Sequence, residues 1–283
     1  MSLIRVQKRM QTSTNTILNK KYKKLLLQIS LHEVSFCLYN TLDSKIEFFS
    51  NYILTQNNTV QETEEEILNL IRQSTILQTG FDDVLILHDN ALNTFVPQTL
   101  FDEQNLKSYL HYNVKISPTD FVTYDQITGN DMNNIYIPFT KLNNSLIELY
   151  GEFHYKHTAS ILVKKILEIS KNVAEPQIFV HIQEKHFQII VVQNQKLLLY
   201  NSFEYNKEED FIYHLLFTAE QLKLNPESIV VKLLGKITKT SQLFQIAYKY
   251  IRNVSLYTEN LQFDQSISED NYLKNFILIH ACE

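Results

Sequence analysis

Slid against itself by 151 residues, the chain meets a second copy of its own pattern, and this constrains the fold more than any single motif does. Without a gap, Ile29 meets Val180, Leu31 meets Ile182, Glu33 meets Glu184, Phe36 meets Phe187 and Leu38 meets Ile189. Farther along, Lys45 meets Lys196, Phe49 meets Tyr200 and Tyr52 meets Phe203. The order of elements agrees too. In the first half, alternation and short apolar runs predict strands near 25–32, 34–40 and 45–54. Thr59 and Glu62 have capping-box spacing, and Ile67, Leu68 and Ile71 give the following helix an apolar face through about residue 76. Val84 to Leu87 is a continuous apolar run, as a strand covered on both faces requires. The second half predicts strands near 177–183, 186–193 and 196–204, a helix burying Phe211, Leu215 and Ala219, a buried strand from Ile229 to Leu234, and a helix with Leu243, Ala247, Tyr250 and Ile251 on one face. Between the halves, one helical pattern opens after Pro138 and another carries Ala159, Leu162, Val163, Ile166 and Ile169. The expected organisation is a polar N-terminal extension over 1–22, a first lobe over 23–172 and a second over 173–283, with Asn172 to Pro176 as linker. Each half reads as three antiparallel strands, helix, strand, helix: an α/β chain of two mixed sheets covered by helices.

Composition narrows the chemistry. With 44% hydrophobic and 12% aromatic residues, the chain is neither disordered nor fibrous. Its net charge of −5 gives no general reason to expect nucleic acid or an anionic membrane as partner. Only four glycines occur in 283 residues, where average usage would give about twenty, and loops that cradle phosphate need glycine. Cys37 and Cys282 show neither a disulfide framework nor zinc spacing, and Cys37 reads as an inert, buried strand thiol. No run is long enough to cross a membrane and no signal-peptide core follows the basic N-terminus, so the expected location is the cytoplasm.

Specific segments resemble a known family. Leu27-Gln28-Ile29-Ser30 with Val34-Ser35-Phe36-Cys37-Leu38-Tyr39, then Val96-Pro97-Gln98-Thr99-Leu100-Phe101, Leu234-Gly235 ahead of Leu243-Phe244, Tyr250-Ile251-Arg252-Asn253 and the terminal Ala281-Cys282-Glu283 are similar to an uncharacterised bacterial family with an actin-like fold. The resemblance spans about residues 24–283 and implies a duplicated ribonuclease-H-like fold in an actin-like, two-lobed architecture, of the superfamily that includes sugar kinases and heat-shock chaperones. In ATPases of that kind, the turn between the first two strands of each half holds the phosphate tail through glycine amides, and an aspartate serves the magnesium ion. The corresponding turns here read Leu31-His32-Glu33-Val34 and Ile182-Gln183-Glu184-Lys185, without glycine or aspartate. The adenosine loop, usually a glycine pair, is reduced to Leu234-Gly235-Lys236. The candidate cleft is therefore His32, Glu33, Gln183, Glu184, Lys185, Gly235 and Lys236, where Lys185 or Lys236 would meet a phosphate and Glu33 or Glu184 a metal.

Other chemistries lack their residues. There is no GxxxxGK[ST], GxGxxG or GxSxG motif. His154 and His157 lie three apart at an expected helix start without the further ligands a metal needs, and His181 and His186 read as strand decoration. A nuclease would need clustered carboxylates where Gln28, Ser30 and His181 stand. The acidic run at Glu62, Glu64, Glu65 and Glu66 reads as a solvated helix start. Tyr248, Tyr250 and Tyr257 with Arg252 form a candidate contact surface. The sequence thus reads as a non-catalytic scaffold for a protein or peptide partner, with no cofactor and no nucleic acid expected. The alternative is an ATP-binding switch or weak ATPase with magnesium; a third reading gives the basic N-terminal tail a nucleic-acid role.

Overall fold

Alternation decides what each face of the first strand touches. In the computed structural model, which describes residues 20–55, 59–111, 114–257 and 267–282, β1 (Lys23–Ile29) turns Leu25, Leu27 and Ile29 to one core and Leu26 to another. It pairs antiparallel with β2 (Glu33–Asn40), which pairs with β3 (Lys45–Ile53), and parallel with β4 (Asp83–His88), which pairs with β8 (His154–His157). The sheet order is β3-β2-β1-β4-β8. A second sheet repeats the plan as β11-β10-β9-β12-β13, from β9 (Gln177–Ile182), β10 (His186–Gln193), β11 (Lys196–Glu204), β12 (Val230–Gly235) and β13 (Asn253–Leu256). Helices α1 (Val60–Gln73), α3 (Thr140–Tyr150), α5 (Glu208–Gln221) and α6 (Gln242–Tyr250) lie where the apolar spacings predict them. Thr59 and Glu62 form the expected capping box. Because Ser74 turns extended, α1 stops three residues short of the predicted end.

The gapless shift of 151 needs correction. β3 and β11 do correspond at that offset, since Lys45 and Lys196 both open their strands. Ile29 and Ile182, which end β1 and β9, and Glu33 and His186, which open β2 and β10, stand 153 apart. The difference lies in the connection to the third strand. Four residues, Thr41 to Ser44, follow β2, but only Asn194 and Gln195 follow β10, both at positive φ as in a type I′ hairpin turn. A two-residue slip keeps side chains on the same face, so the shifted patterns still match.

Two features exceed the predicted unit. Each five-stranded sheet gains a fifth, four-residue parallel strand, β8 or β13. A three-stranded sheet, β5-β7-β6, is inserted between β4 and α3; it comprises β5 (Asn93–Pro97), β6 (Thr123–Ile127) and β7 (Met132–Tyr136), and it shares a small core with α2 (Leu106–Leu110).

One core joins the two large sheets. Helix α4 (Thr158–Ile169) packs on β10 and β11 and on α8 (Phe276–Ala281), while α8 packs on β1 and β2 of the other sheet. Leu162, Val163, Ile166 and Leu167 of α4 are fully buried together with Leu26, Cys37 and Leu87 from the first sheet and Phe179 and Ile190 from the second. At roughly 1.5–3 kcal/mol for each large buried side chain, this layer is a major source of cohesion. The preceding short helix, α7 (Glu269–Lys274), adds Tyr272 and Leu273 to it.

The predicted N-terminal extension lies outside the described residues as far as residue 19, as does Glu283. Lys23 and Lys24 are already within β1, facing Glu47 at 3.7 Å and Asp83 at 3.1 Å.

Candidate functional site

The β1–β2 and β9–β10 turns meet at the C-terminal ends of the central strands. Around one cavity of about 10 Å³ the structure brings together His32 and Glu33 from the first turn, Gln183, Glu184 and Lys185 from the second, and five residues outside the sequence-predicted set: Gln28, Ser30, Ser35, Asp89 and His186. That volume is about one water molecule.

The first turn is closed on itself. The Ser30 hydroxyl accepts hydrogen bonds from the backbone N–H of Glu33 at 2.9 Å and of His32 at 3.2 Å, while Ser30 N–H donates to the Glu33 carbonyl at 2.9 Å. Serine forms this kind of turn readily because its short hydroxyl reaches nearby amides. In the second turn, Gln183 N–H donates to the His186 carbonyl at 2.9 Å, and the Tyr205 hydroxyl donates to the Gln183 carbonyl at 2.9 Å.

Lys236 spans the gap between them. Its Nζ donates to Glu33 Oε2, and it lies 3.6 Å from Glu184 Oε2. The other oxygen of Glu33 accepts from the Ser35 hydroxyl at 2.8 Å. A cation from the second half is thus held between acids from both turns. Gly235, immediately before it, sits at φ +92° with its Cα against β9. A Cβ there would stand 2.2 Å from the Ile182 carbonyl oxygen, and Lys236 N–H donates to that same oxygen at 2.7 Å. The glycine is required for close approach of the chain to itself.

Beneath the ion pair lies a buried cluster that the sequence did not reveal. Asp89 follows β4 and is almost wholly buried. Its carboxylate accepts from Thr158 Oγ1 at 3.0 Å and Gln28 Nε2 at 3.1 Å, with His186 Nε2 3.5 Å away, an ion-pair contact looser than a formed hydrogen bond. Burial pushes the Asp89 carboxyl up, but the opposing charge of the nearby His186, aided by His181 and His157, prevails and holds it below the usual range. For His186, burial works against protonation, yet Asp89, Glu204 and Glu33 raise it overall. The cluster's other histidines are shifted toward the neutral form. His157 and His181 are each lowered to about 4, chiefly by burial. Their hydrogen bonds assign the tautomers. Ala159 N–H donates to His157 Nδ1 at 3.1 Å, so Nε2 carries the proton toward the Asn90 carbonyl; His181 Nδ1 donates to Gln188 Oε1 at 2.8 Å. His88, next to Asp89 and packed on Phe139 and Tyr155, is lowered to about 3, again mainly by burial.

This arrangement holds charge in place and offers little for chemistry. Both serine hydroxyls at the cavity are engaged with Glu33. Among the described residues, no group of three or more His, Cys, Asp or Glu side chains has the arrangement of a metal site.

The remaining sequence candidates fall elsewhere, several with corrections. His154 and His157 bound strand β8 and do not open a helix together; only His157 caps α4. His181 and His186 do lie on strands, β9 and β10, and there join the cluster around Asp89. Tyr257 is core, its ring against Phe179 and Phe276, and leaves the proposed contact surface. Tyr248 and Tyr250 remain exposed, by 62% and 48%, and Arg252 faces Glu227 at 3.5 Å. Cys37 is buried on β2, its thiol pushed up by a hydrogen bond with Cys282 and by burial. No helix among the described residues is long and apolar enough to cross a membrane.

Comparison with solved structures places this geometry within a known fold. A protein from Bacteroides thetaiotaomicron VPI-5482, described as having an actin-like ATPase fold and unknown function, superposes with a TM-score of 0.80 at 20% identity, covering 95% of this chain and 99% of that one. The type IV pilus biogenesis complex PilM–PilN contains a chain with a TM-score of 0.56 at 10% identity, covering 90% and 96% respectively. The fold is actin-like and two-lobed. No curated protein matches the sequence. Residues 12–254 match the family described as protein of unknown function, DUF3822, and the chain belongs to that family.

Proposed function

We propose that this protein is a non-catalytic actin-like scaffold for a protein partner, with Lys236 standing where a nucleotide's phosphates would sit in an actin-like ATPase. The observation that carries this reading is the Glu33–Lys236–Glu184 bridge, whose two acids line a cavity of only about 10 Å³ while Gly235 and Lys236 stand outside its lining. A triphosphate needs free amides and uncompensated positive charge. Here the His32 and Glu33 amides are taken by Ser30, the only nearby glycine is pressed on Ile182, and the lysine is already paired with carboxylates that would repel phosphate. ATP and magnesium do not fit such a seat. That a similar fold occurs in the PilM–PilN complex supports partner binding as a use of the architecture.

Calorimetric titration of the full chain with Mg-ATP and a non-hydrolysable analogue tests the proposal. Dilution heat alone up to millimolar nucleotide is expected. Heat that saturates at low micromolar concentration would make the chain a nucleotide switch and overturn the scaffold reading.

A further inference from the structure

Sheet edges ask for company, and proteins usually blunt them with short strands, charges or cover. Most edges here follow that rule. β8 and β13 have four residues each, and β3 carries Lys45 and Glu47. β11 has no such charge: between Lys196 and Glu204 it runs Leu197 to Phe203 without a charged residue, as the terminal strand of its sheet, and its one irregularity is a β-bulge against β10 at Leu198.

Along this edge lies a groove of about 1000 Å³, and its far wall is β5, the terminal strand of the inserted sheet. A strand that lines a groove with its face contributes alternate residues, whereas one that lines it with its edge contributes successive ones. Every residue of 93–97 and of 195–202 lines this groove. Two strand edges therefore flank it. Phe95 and Tyr200 meet across it, ring centroids 4.9 Å apart, and make an apolar contact between the walls. Asn93 Oδ1 and the Tyr200 hydroxyl, both buried, make no well-formed hydrogen bond within the chain. The charges in the lining are Asp131 and Lys196, which are opposite in sign.

From this we infer that the groove binds an extended, uncharged segment of a partner protein, whose backbone pairs with the edge of β11 and whose alternate apolar side chains pack toward Phe95 and Leu199. Backbone pairing supplies affinity and the alternate pockets supply specificity, as in other cases of strand addition. A lone strand suits the site better than a second copy of the chain. An intact sheet edge would bring its neighbouring strand into the β5 wall. The inference rests on the scaffold reading and names its partner's conformation and seat.

The test starts from a random nonapeptide phage library panned on the full-length protein, with the strongest binder synthesised and labelled for fluorescence anisotropy. Micromolar, saturable binding is expected. N-methylation of alternate backbone amides in that peptide should weaken it at least tenfold with its side chains intact. Leu198→Lys and Asn201→Lys should each weaken binding at least tenfold with the melting temperature preserved, whereas Leu42→Lys, in the β2–β3 turn, should not. Hydrogen exchange should slow at 93–97 and 196–202 when the peptide is bound. Failure to select any binder, indifference to N-methylation, protection elsewhere, or a dimer in sedimentation that the same lysines dissolve would each overturn the inference. None of these outcomes bears on the nucleotide titration, so the two readings fail separately.

Discussion

At the scale of single residues, burial converts ordinary side chains into commitments. Glu33 is nearly buried and its negative charge is matched by Lys236, so Lys236→Met leaves a carboxylate with the Ser35 hydroxyl as its remaining side-chain partner. Breaking a buried pair from one side costs about 3 kcal/mol or more. Allowing for the fifth of Lys236 that is exposed, a loss of about 3 kcal/mol is expected, or roughly 6 °C in melting temperature for a chain of this size. The double variant Glu33→Gln/Lys236→Met should recover most of it. Equal melting temperatures for wild type and Lys236→Met would show that the bridge contributes nothing. The histidines make a second prediction. His157 and His181 are lowered from 6.5 to about 4 and His88 to about 3, so below pH 6.5 the unfolded chain binds up to three more protons than the folded one. Stability must then fall as pH falls from about 6.5 toward 4, with a limiting slope of about 4 kcal/mol per pH unit. Asp89, held below the ordinary 3.8 of an aspartate, adds stability that is present above that pH and lost beneath it. His186 has the opposite shift: its contribution is complete below pH 6.5 and declines as pH rises through its raised folded value, so it does not offset the loss in acid. Thermal melts at pH 7.5, 6, 5 and 4.5 should show a steep decline, and a flat profile to pH 4.5 would contradict the burial of neutral imidazoles.

At the scale of elements, the connections carry more information than the strands. The type I′ turn at Asn194 and Gln195 sets one register and the four-residue turn after β2 sets another, which a gapless comparison cannot see. Gly235 is the clearest test of close approach between elements. Gly235→Ala would force its Cβ against backbone atoms of Ile182, 2.2 Å from the oxygen and 2.8 Å from the nitrogen, and neither yields without loosening the β9–β12 pairing. A loss above about 4 kcal/mol is expected, since severe backbone strain belongs to the few mechanisms that reach it. Gly129→Ala, also at positive φ but with nothing within 4 Å, should lose only about 1–2 kcal/mol. Chemical denaturation of the two variants checks the ordering; similar losses would mean that strain of φ alone, and not the Ile182 contact, governs both. The elements visible in the sequence were those with a long apolar period, as in α4 and β9. The inserted sheet was missed because β7 reads Met132-Asn133-Asn134-Ile135-Tyr136, with polar residues at buried positions. Those asparagines are satisfied only by distant partners: Asn134 Nδ2 donates to Ser160 and its Oδ1 accepts from Asn93, while Asn133 donates to Gln98. The site was half legible for the same reason. Turn residues adjoin strands that pattern alone predicts, but Asp89 and His186 are 97 residues apart and meet only when two sheets pack.

At the scale of the whole molecule, the lobes of an actin-like fold are often pictured as separate bodies about a hinge, and the interior of this one argues for joint stability. α4 packs on β10 and β11 of the second sheet and also on β8 of the first, while α8 packs on β1 and β2 of the first and on α4, so the two helices tie both sheets to one layer. The core that contains Leu26, Cys37, Leu85 and Leu87 of the first sheet also contains Phe179, Ile190, Leu233 and Phe276. Separating the halves would expose both sides of that core, at about 25 cal/mol for each Å² of apolar surface. Unfolding one half while keeping the other should therefore be disfavoured, and calorimetry should give a single transition whose calorimetric and van't Hoff enthalpies agree. A chain ending at Asn275 sharpens the test. It lacks α8 and the two residues after it, in sequence remote from β1 and β2, yet it strips cover from Leu26 and Cys37. The shortened chain should lose the fold of both halves together, with the first-lobe amides of β1 exchanging as fast as those of β9. Two resolved transitions in the full chain, or a shortened chain in which β9 to β12 keep their protection while β1 to β4 lose theirs, would show that the lobes fold apart and that the shared layer is only a contact between finished domains.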